Sequence, residues 1–375
     1  LTATVRAGGG ITRLSLTDAL ARGPEQWDAM LASSGSSSPF MRWAWHDAWA
    51  SSASPEELRA SFAILLSDSD VPSNGVLPLA LRPVSFRRAR PRALTWAIGS
   101  VGCPDHLDLP LSLDAPLEDV LPVLEALPWD LIVLGGVADP APNVARLTEA
   151  FARRGFTVRR ALLDTCPWID LPDSWDAYLA GLSATRRQSI RRQERRLQRE
   201  HAVTLTEYAP DRLDEGWQRL RSLHAARWNG PGVLGDSRLD CLLHRFSNEL
   251  AASGELWLTT LDLDGVPVAA WHGFACGDTV YFYQSGRDPA HDSKSVGTTL
   301  MAAMIRRAIE RGYRRFDLLR GDDSYKKDWG AVKRPIHEVV VFRPGWRGAW
   351  LRMLDWVGRR RARLRSRPEF AVAGD

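Results

Sequence analysis

Residues 256–319 constrain the fold more tightly than any other part of this chain. Two strand-length apolar runs, Leu256–Leu263 and Val266–Cys276, flank Asp264-Gly265. That dipeptide suits a tight hairpin turn, whose central residues need positive φ. A third strand-like run at 280–284 leads through a small polar loop into a helical pattern at 298–310, which Gly312 stops, and a short strand at 315–319 follows. Helical patterns at 175–182, 183–200, 213–227 and 239–252 precede this series, with a strand at 203–208 among them, and a strand at 336–342 closes it. Together they describe one complete α/β domain.

The first half alternates in the same way. Pro39 to Trp49 places Phe40, Trp43 or Ala44, and Ala48 at helical spacing, which predicts a helix with a buried aromatic face. Strand-length runs lie around 62–66, 76–81 and 94–98, a helix at 117–127, a strand at 129–134 that ends at Gly135-Gly136, a helix at 144–154 and a strand at 156–162. A break is expected at 166–172, where Pro167 and Pro172 fall. The division that follows is 1–170, 171–345 and a basic amphipathic tail at 346–375.

Composition excludes several classes. Of 375 residues, 45% are hydrophobic and 25% charged, the balance of a folded globular protein. Cys103, Cys166, Cys241 and Cys276 form no C-x-x-C pair, so neither a disulfide framework nor a metal site is expected and a reducing cytoplasm is the natural compartment. No run reaches the roughly 18 apolar residues of a membrane span. Net charge is only +4, yet 45 of the 49 basic residues are arginines, an excess that genomic codon bias largely accounts for. The strand-to-helix loop at 284–300 lacks Walker A spacing and is not a dinucleotide-binding G-x-G-x-x-G, and G-x-S-x-G and H-E-x-x-H patterns are missing from the chain, which disfavours ATP, dinucleotide, serine-hydrolase and zinc-protease chemistry.

Three segments hold groups suited to chemistry. The loop from Gln284 to Leu300 joins a strand to a helix, and the amides of Val296, Gly297, Thr298 and Thr299 at such a helix start suit phosphate oxygens, with Lys294 adding charge. Arg320-Gly-Asp-Asp-Ser-Tyr325-Lys326 follows the strand that carries Asp317, whose buried carboxylate needs a partner, with Arg320 and Lys326 as the candidates. His224 and Arg227 share a helix face just before Trp228, so the imidazole can take a proton while the guanidinium holds an anion. His272 and His291 are less suggestive. The helix at 185–200 contributes seven arginines that suit a phosphate, an anionic glycan or tRNA. Near the C-terminus, Trp346, Trp350, Leu354 and Val357 lie near one helical face with arginines beyond, a pattern for either a docked helix or one lying on an anionic membrane surface.

In these segments the chain resembles the GNAT-like N-acyltransferases of the cellulose-biosynthesis CelD/BcsL type, which are similar in turn to Fem-type transferases. The resemblance rests on Ser38-Pro-Phe with Trp43 to Trp49, Ser183 to Arg196, His224 to Trp228, Tyr283 to Gly286 with Gly297, and Phe316-Asp-Leu-Leu-Arg-Gly-Asp followed by Tyr325-Lys-Lys-Asp-Trp329. It implies α/β architecture with two tandem GNAT-like domains, whose mixed, mostly antiparallel sheets are flanked by helices. It also implies transfer of an acyl group, from acetyl-CoA or a longer acyl-CoA, to an amine or hydroxyl of a sugar, polysaccharide precursor or small metabolite. The usual pyrophosphate loop, Gln/Arg-x-x-Gly-x-Gly/Ala, reads here as Lys294-Ser-Val-Gly297-Thr-Thr299, which departs at its first and last positions. A carrier-protein thioester or aminoacyl-tRNA therefore stands beside acyl-CoA as donor.

The implied roles are His224 or Asp317 for proton removal, Tyr325 or Lys326 for charge stabilisation or leaving-group protonation, and Arg227, Trp228, Gln284 and Arg320 for the substrate. Two other readings stay open: a Fem-like aminoacyl-tRNA-dependent transferase, and a noncatalytic, membrane-peripheral adaptor of envelope assembly. Acceptor identity and oligomeric state are not written in the sequence.

Overall fold

The computed structural model describes residues 5–7, 10–34, 38–68, 71–321 and 324–365. Asp322, Asp323, part of the Ser33–Ser38 run and the basic tail beyond 365 lie outside the described residues.

The first half contains β1 (Val5–Ala7), β2 (Ile11–Ser15), α1 (Leu16–Leu20), α2 (Pro24–Ser33), α3 (Trp43–Ser52), α4 (Pro55–Ala60), β3 (Ser61–Asp68), β4 (Val71–Pro83), β5 (Arg92–Trp96), α5 (Leu117–Glu125), β6 (Leu131–Val137), α6 (Pro142–Arg153) and β7 (Thr157–Asp170). The second contains α7 (Trp175–Gly181), α8 (Ala184–Glu200), β8 (Val203–Glu207), α9 (Leu213–Trp228), α10 (Ser237–Ala252), β9 (Leu256–Leu263), β10 (Val266–Cys276), β11 (Thr279–Arg287), α11 (Val296–Glu310), β12 (Arg315–Asp317), α12 (Ser324–Lys327) and β13 (Val332–Phe342). A final helix, α13 (Trp346–Arg365), follows.

The architecture is the expected one, α/β with a mixed, mostly antiparallel sheet flanked by helices. The strands of both halves join in one 13-stranded sheet, ordered β1-β2-β3-β4-β5-β6-β13-β7-β12-β11-β10-β9-β8. Each half holds one parallel pair, β5 with β6 and β11 with β12. Helical crossovers through α5 and α11 make those pairings possible, since parallel neighbours cannot be joined by a tight turn.

The halves also exchange strands. β13 lies between β6 and β7 and pairs with both, from Val332 opposite Trp168 to Phe342 opposite Thr157. β7 in turn flanks β12 of the second half. The strand expected to close the second half thus completes the first. The expected break at 166–172 is likewise the far end of β7. Pro167 stays within the strand because its carbonyl accepts the Leu318 N–H at 2.9 Å, a bond that needs no donor from proline.

Aromatic packing ties the halves together. Phe40, Ala44 and Ala48 are buried, as the helical spacing predicts, while Trp43 is half-buried and the fully buried rings of the helix are Trp45 and Trp49. Phe40 meets Trp45 edge-on at 4.8 Å, and Trp45 meets Phe246 of α10 at 4.9 Å. Such large rings contribute most of the apolar area at a core of this kind. On the other face of the sheet, α11 buries Val296, Leu300, Met304, Ile305 and Ala308 against Trp271, Val280 and Phe316.

Candidate active site

The site is built where β11 and β12 part. Their parallel ladder runs only from Thr279 and Arg315 to Tyr281 and Asp317, and β11 continues to Arg287 paired with β10 but not with β12. Along that free stretch the register against β10 shifts between His272 and Gly273. Tyr283 is the extra residue, and a bulge of this kind reverses which side chains point to which face. Ser285 and Arg287 consequently face the α11 side, opposite Trp271 and Ala269, while Gln284 lies opposite His272 on the α9 and α10 side.

A cavity of about 490 Å³ opens on the α11 face. Arg186, Arg227, Arg287, Trp271, Tyr325 and Trp329 line it together with the first turn of α11. Ser295 precedes that helix at φ +57 and supplies no side-chain cap. The amides of Val296, Gly297 and Thr298 belong to the orphan donors of a helix start, and the helix dipole adds positive potential there. The three guanidiniums are held in place. Arg227 donates to Ser285 Oγ at 2.8 Å, Arg287 pairs with Asp292 at 2.6 Å, and Arg186 lies over the Trp329 ring at 4.1 Å. Burial pushes the Arg186 pKa below its ordinary value, yet it stays charged, as arginines in proteins do. The arrangement is suited to a phosphate-bearing ligand with an apolar arm against Trp271 and Trp329.

On the opposite face the strand ends meet a loop of the first half. Residues 99–106 turn through left-handed conformations at Gly99, Gly102, Cys103 and His106, and non-glycine residues rarely adopt these without compensation. The Tyr283 hydroxyl donates to the Gly102 carbonyl at 2.6 Å. Arg320 Nε and Nη2 donate to Asp105 Oδ1 at 2.9 and 2.5 Å. His106 Nε2 lies 3.0 Å from Asp317 Oδ2, while Asp317 Oδ1 accepts the Leu319 N–H at 2.7 Å. Burial presses the His106 pKa down, but Asp317 and then Asp105 outweigh it, so the imidazole ends above its ordinary value. Asp105 is raised by burial against the opposing pull of Arg320, and burial likewise raises the Cys166 thiol beside them. An imidazole held through Nε2 by a carboxylate presents Nδ1 for proton exchange, the logic of an oriented general base.

The sequence candidates fall into separate environments. Val296, Gly297, Thr298, Arg227 and Tyr325 share the cavity. Thr299 is buried, with its hydroxyl turned back to the Ser295 carbonyl. Lys294 does not line the cavity, and its charge acts on Asp264 in the β9–β10 turn. His224 is buried, with Nδ1 donating to the Ser285 carbonyl at 3.0 Å and Nε2 against Gly232, and burial lowers its pKa. Trp228 is largely exposed beneath the Arg227 guanidinium.

The expected partners of Asp317 are otherwise engaged. Arg320 binds Asp105, because the chain turns away from the strand after Leu319. Lys326 is 3% exposed and its ammonium donates to the carbonyls of Leu318, Leu319, Arg320 and Gly321 at 3.0–3.1 Å. His106, which the sequence reading missed, meets Asp317 instead. The one local signal was the polar run Cys103-Pro-Asp-His106 within an otherwise apolar stretch.

In the second half the fold is similar to a GNAT-type arrangement, and a family comparison matches there. Residues 184–327 match the acetyltransferase (GNAT) domain family. Over most of its length the chain is similar in fold to FemX, with a TM-score of 0.57 and 11% identity across 84% of this chain and 95% of that one. It is also similar to L-PGS from Bacillus licheniformis, with a TM-score of 0.53 and 14% identity across 91% of this chain and 97% of that one. No curated protein matches the sequence.

Proposed function

We propose that the protein transfers an acyl group from acyl-CoA to an amine or hydroxyl of a sugar, polysaccharide precursor or small metabolite. The observation that carries this reading is the uncapped first turn of α11 opening, with Arg186, Arg227 and Arg287, into one cavity beside the parting strands. Donor phosphates bind the α11 amides and guanidiniums, and the thioester reaches the gap between β11 and β12. The acceptor nitrogen or oxygen attacks the carbonyl carbon, the C–S bond breaks, and the departing sulfur leaves as the thiol once protonated. His106, oriented by Asp317, takes the proton of the nucleophile. The sugar-type acceptor rests on the CelD/BcsL resemblance.

Calorimetry with acetyl-CoA and longer acyl-CoAs tests the donor. A Cβ on Gly297 meets only Arg287 Cδ, at 3.6 Å, so Gly297→Trp leaves the helix intact while filling the cavity. Saturable binding lost in folded Gly297→Trp supports the proposal, and binding that survives this change overturns the assigned site.

A second donor class is favoured by one further observation. α8 contributes Arg186 to the cavity, and its outward face continues with exposed Arg191, Arg192, Arg195 and Arg199. Such a row suits the backbone of an RNA, consistent with the Fem-like resemblance. If no acyl-CoA binds while aminoacyl-tRNA is retained in a salt-dependent manner, this reading replaces the first.

A further inference from the structure

α13 docks on the sheet through one face. Leu351 is buried against Phe86, Val340 and Phe342. Asp355 is completely buried and receives Arg87 at 3.0 Å, Arg159 at 2.9 Å and Arg359 at 3.1 Å. At 3.6 residues per turn, Trp346, Trp350 and Met353 project from the opposite side. They are 77%, 46% and 52% exposed, with Trp356 at 54% beside them. Solvent-facing aromatics in such a row require a reason.

Charge supplies one. Asp355 is the sole acidic residue of α13, and it is turned inward. Arg347, Arg352 and Arg360 flank the exposed stripe, and exposed Arg88 and Arg90 adjoin it from the β4–β5 turn. Ala89, Arg90 and Pro91 form a cavity with Trp346 and Trp350, in which the acidic Asp130 lies 3.6 Å from the Arg347 guanidinium, so turn and helix present a common surface. Arg360 lies over the Trp356 ring at 5.2 Å, which places a cation and an aromatic at one depth.

We propose that this face of α13 is a docking surface for an anionic lipid bilayer. Tryptophans settle at the headgroup boundary, methionine enters the acyl region, and the arginines meet lipid phosphates. The helix lies on the membrane: no helix among the described residues is long and apolar enough to cross one. The inference stands apart from acyl transfer, because no α13 residue lines the α11 cavity.

The test is flotation of the full chain with vesicles of phosphatidylcholine alone or mixed with phosphatidylglycerol. Expected is flotation with the mixed vesicles only, weakened by salt, with a blue shift of tryptophan fluorescence. Trp346→Ala, Trp350→Ala and Met353→Ser combined should lower vesicle binding by about tenfold or more while leaving the acyl-CoA isotherm unchanged. That isotherm also separates this proposal from the catalytic one. Failure to float with either vesicle, flotation indifferent to the triple variant, or a dimer that the triple variant dissolves would each overturn the assignment, the last in favour of a second copy of the chain.

Discussion

His106 Nε2 stands 3.0 Å from Asp317 Oδ2, joining a left-handed loop of the first half to the last residue of β12 in the second. The contact lies at the end of the β11–β12 ladder, and neither residue lines the α11 cavity. In the proposed reaction, donor and base approach a common point from opposite sides of the sheet.

A base of this kind sets a pH limb. The folded His106 pKa lies above the ordinary imidazole value of about 6.5, because Asp317 outweighs burial. The base acts when deprotonated, so kcat/KM should rise with pH through a pKa above that value. His106→Gln should lower kcat by roughly 10²–10⁴-fold and flatten the limb. Asp317→Asn should shift the limb toward lower pH, because the carboxylate that favours the charged imidazole is gone. A limb unchanged in His106→Gln would remove His106 from the reaction.

Lys326 is read differently once its surroundings are known. Leu319 at φ +52 and Gly321 at φ +117 curl the chain so that four successive carbonyls face one ammonium. Lys326→Met keeps the side-chain length but leaves those carbonyls without their donor, and each unsatisfied buried group costs about 1–3 kcal/mol. Unfolding by urea should show a loss of at least about 3 kcal/mol, with acyl-CoA binding weakened in parallel. If Lys326 instead protonates the leaving thiolate, Lys326→Met will unfold normally and lose turnover alone.

The contrast between Lys326 and the hairpin shows what a sequence can reveal. The hairpin of β9 and β10 is legible to the residue, because period, apolar content and the Asp264-Gly265 turn are all local. The first turn of α11 is legible for the same reason. Direction is less so: spacing places Lys326 near a strand end, but only the coiled 318–321 backbone turns its ammonium inward. The bulge at Tyr283 moves Ser285 and Arg287 onto the cavity face in place of Gln284, and one inserted residue leaves no mark in an apolar pattern. Partners remote in sequence were invisible altogether, both the exchange of β7 with β13 and the meeting of His106 with Asp317.

Two buried histidines should make the fold sensitive to acid. Burial lowers the pKa of His46 to about 4 and that of His272 to about 3. His46 Nδ1 donates to the Arg42 carbonyl at 2.9 Å, and His272 Nε2 pairs with Ser247 Oγ at 2.9 Å. The unfolded chain binds these protons below about pH 6.5 while the folded chain does not. Stability is therefore intact above that pH and falls as pH decreases, until each folded pKa is reached. Near pH 5 each histidine should contribute a slope of about 1.4 kcal/mol per pH unit. Urea titrations across pH 4.5–6 should lose about that much slope in His272→Gln. The slope is the readout, since any constant packing cost cancels from it.

Asp355 anchors α13. It is completely buried, and among its cationic partners Arg159 is only 10% exposed and also holds Glu338 at 2.6 Å. Removing a carboxylate from such a site leaves guanidinium charge in a poorly solvated place, at about 3–5 kcal/mol for a fully buried pair. Arg87 is 37% exposed, so water replaces its lost partner more readily. Asp355→Ala should accordingly destabilise the protein far more than Arg87→Ala does. It should also release α13 from Leu351 inward, which trypsin reports as accelerated cleavage after Arg347 and Arg352 while the rest of the chain stays protected. Equal protection of α13 in both variants would show that Leu351 and its apolar neighbours hold the helix without the charge cluster.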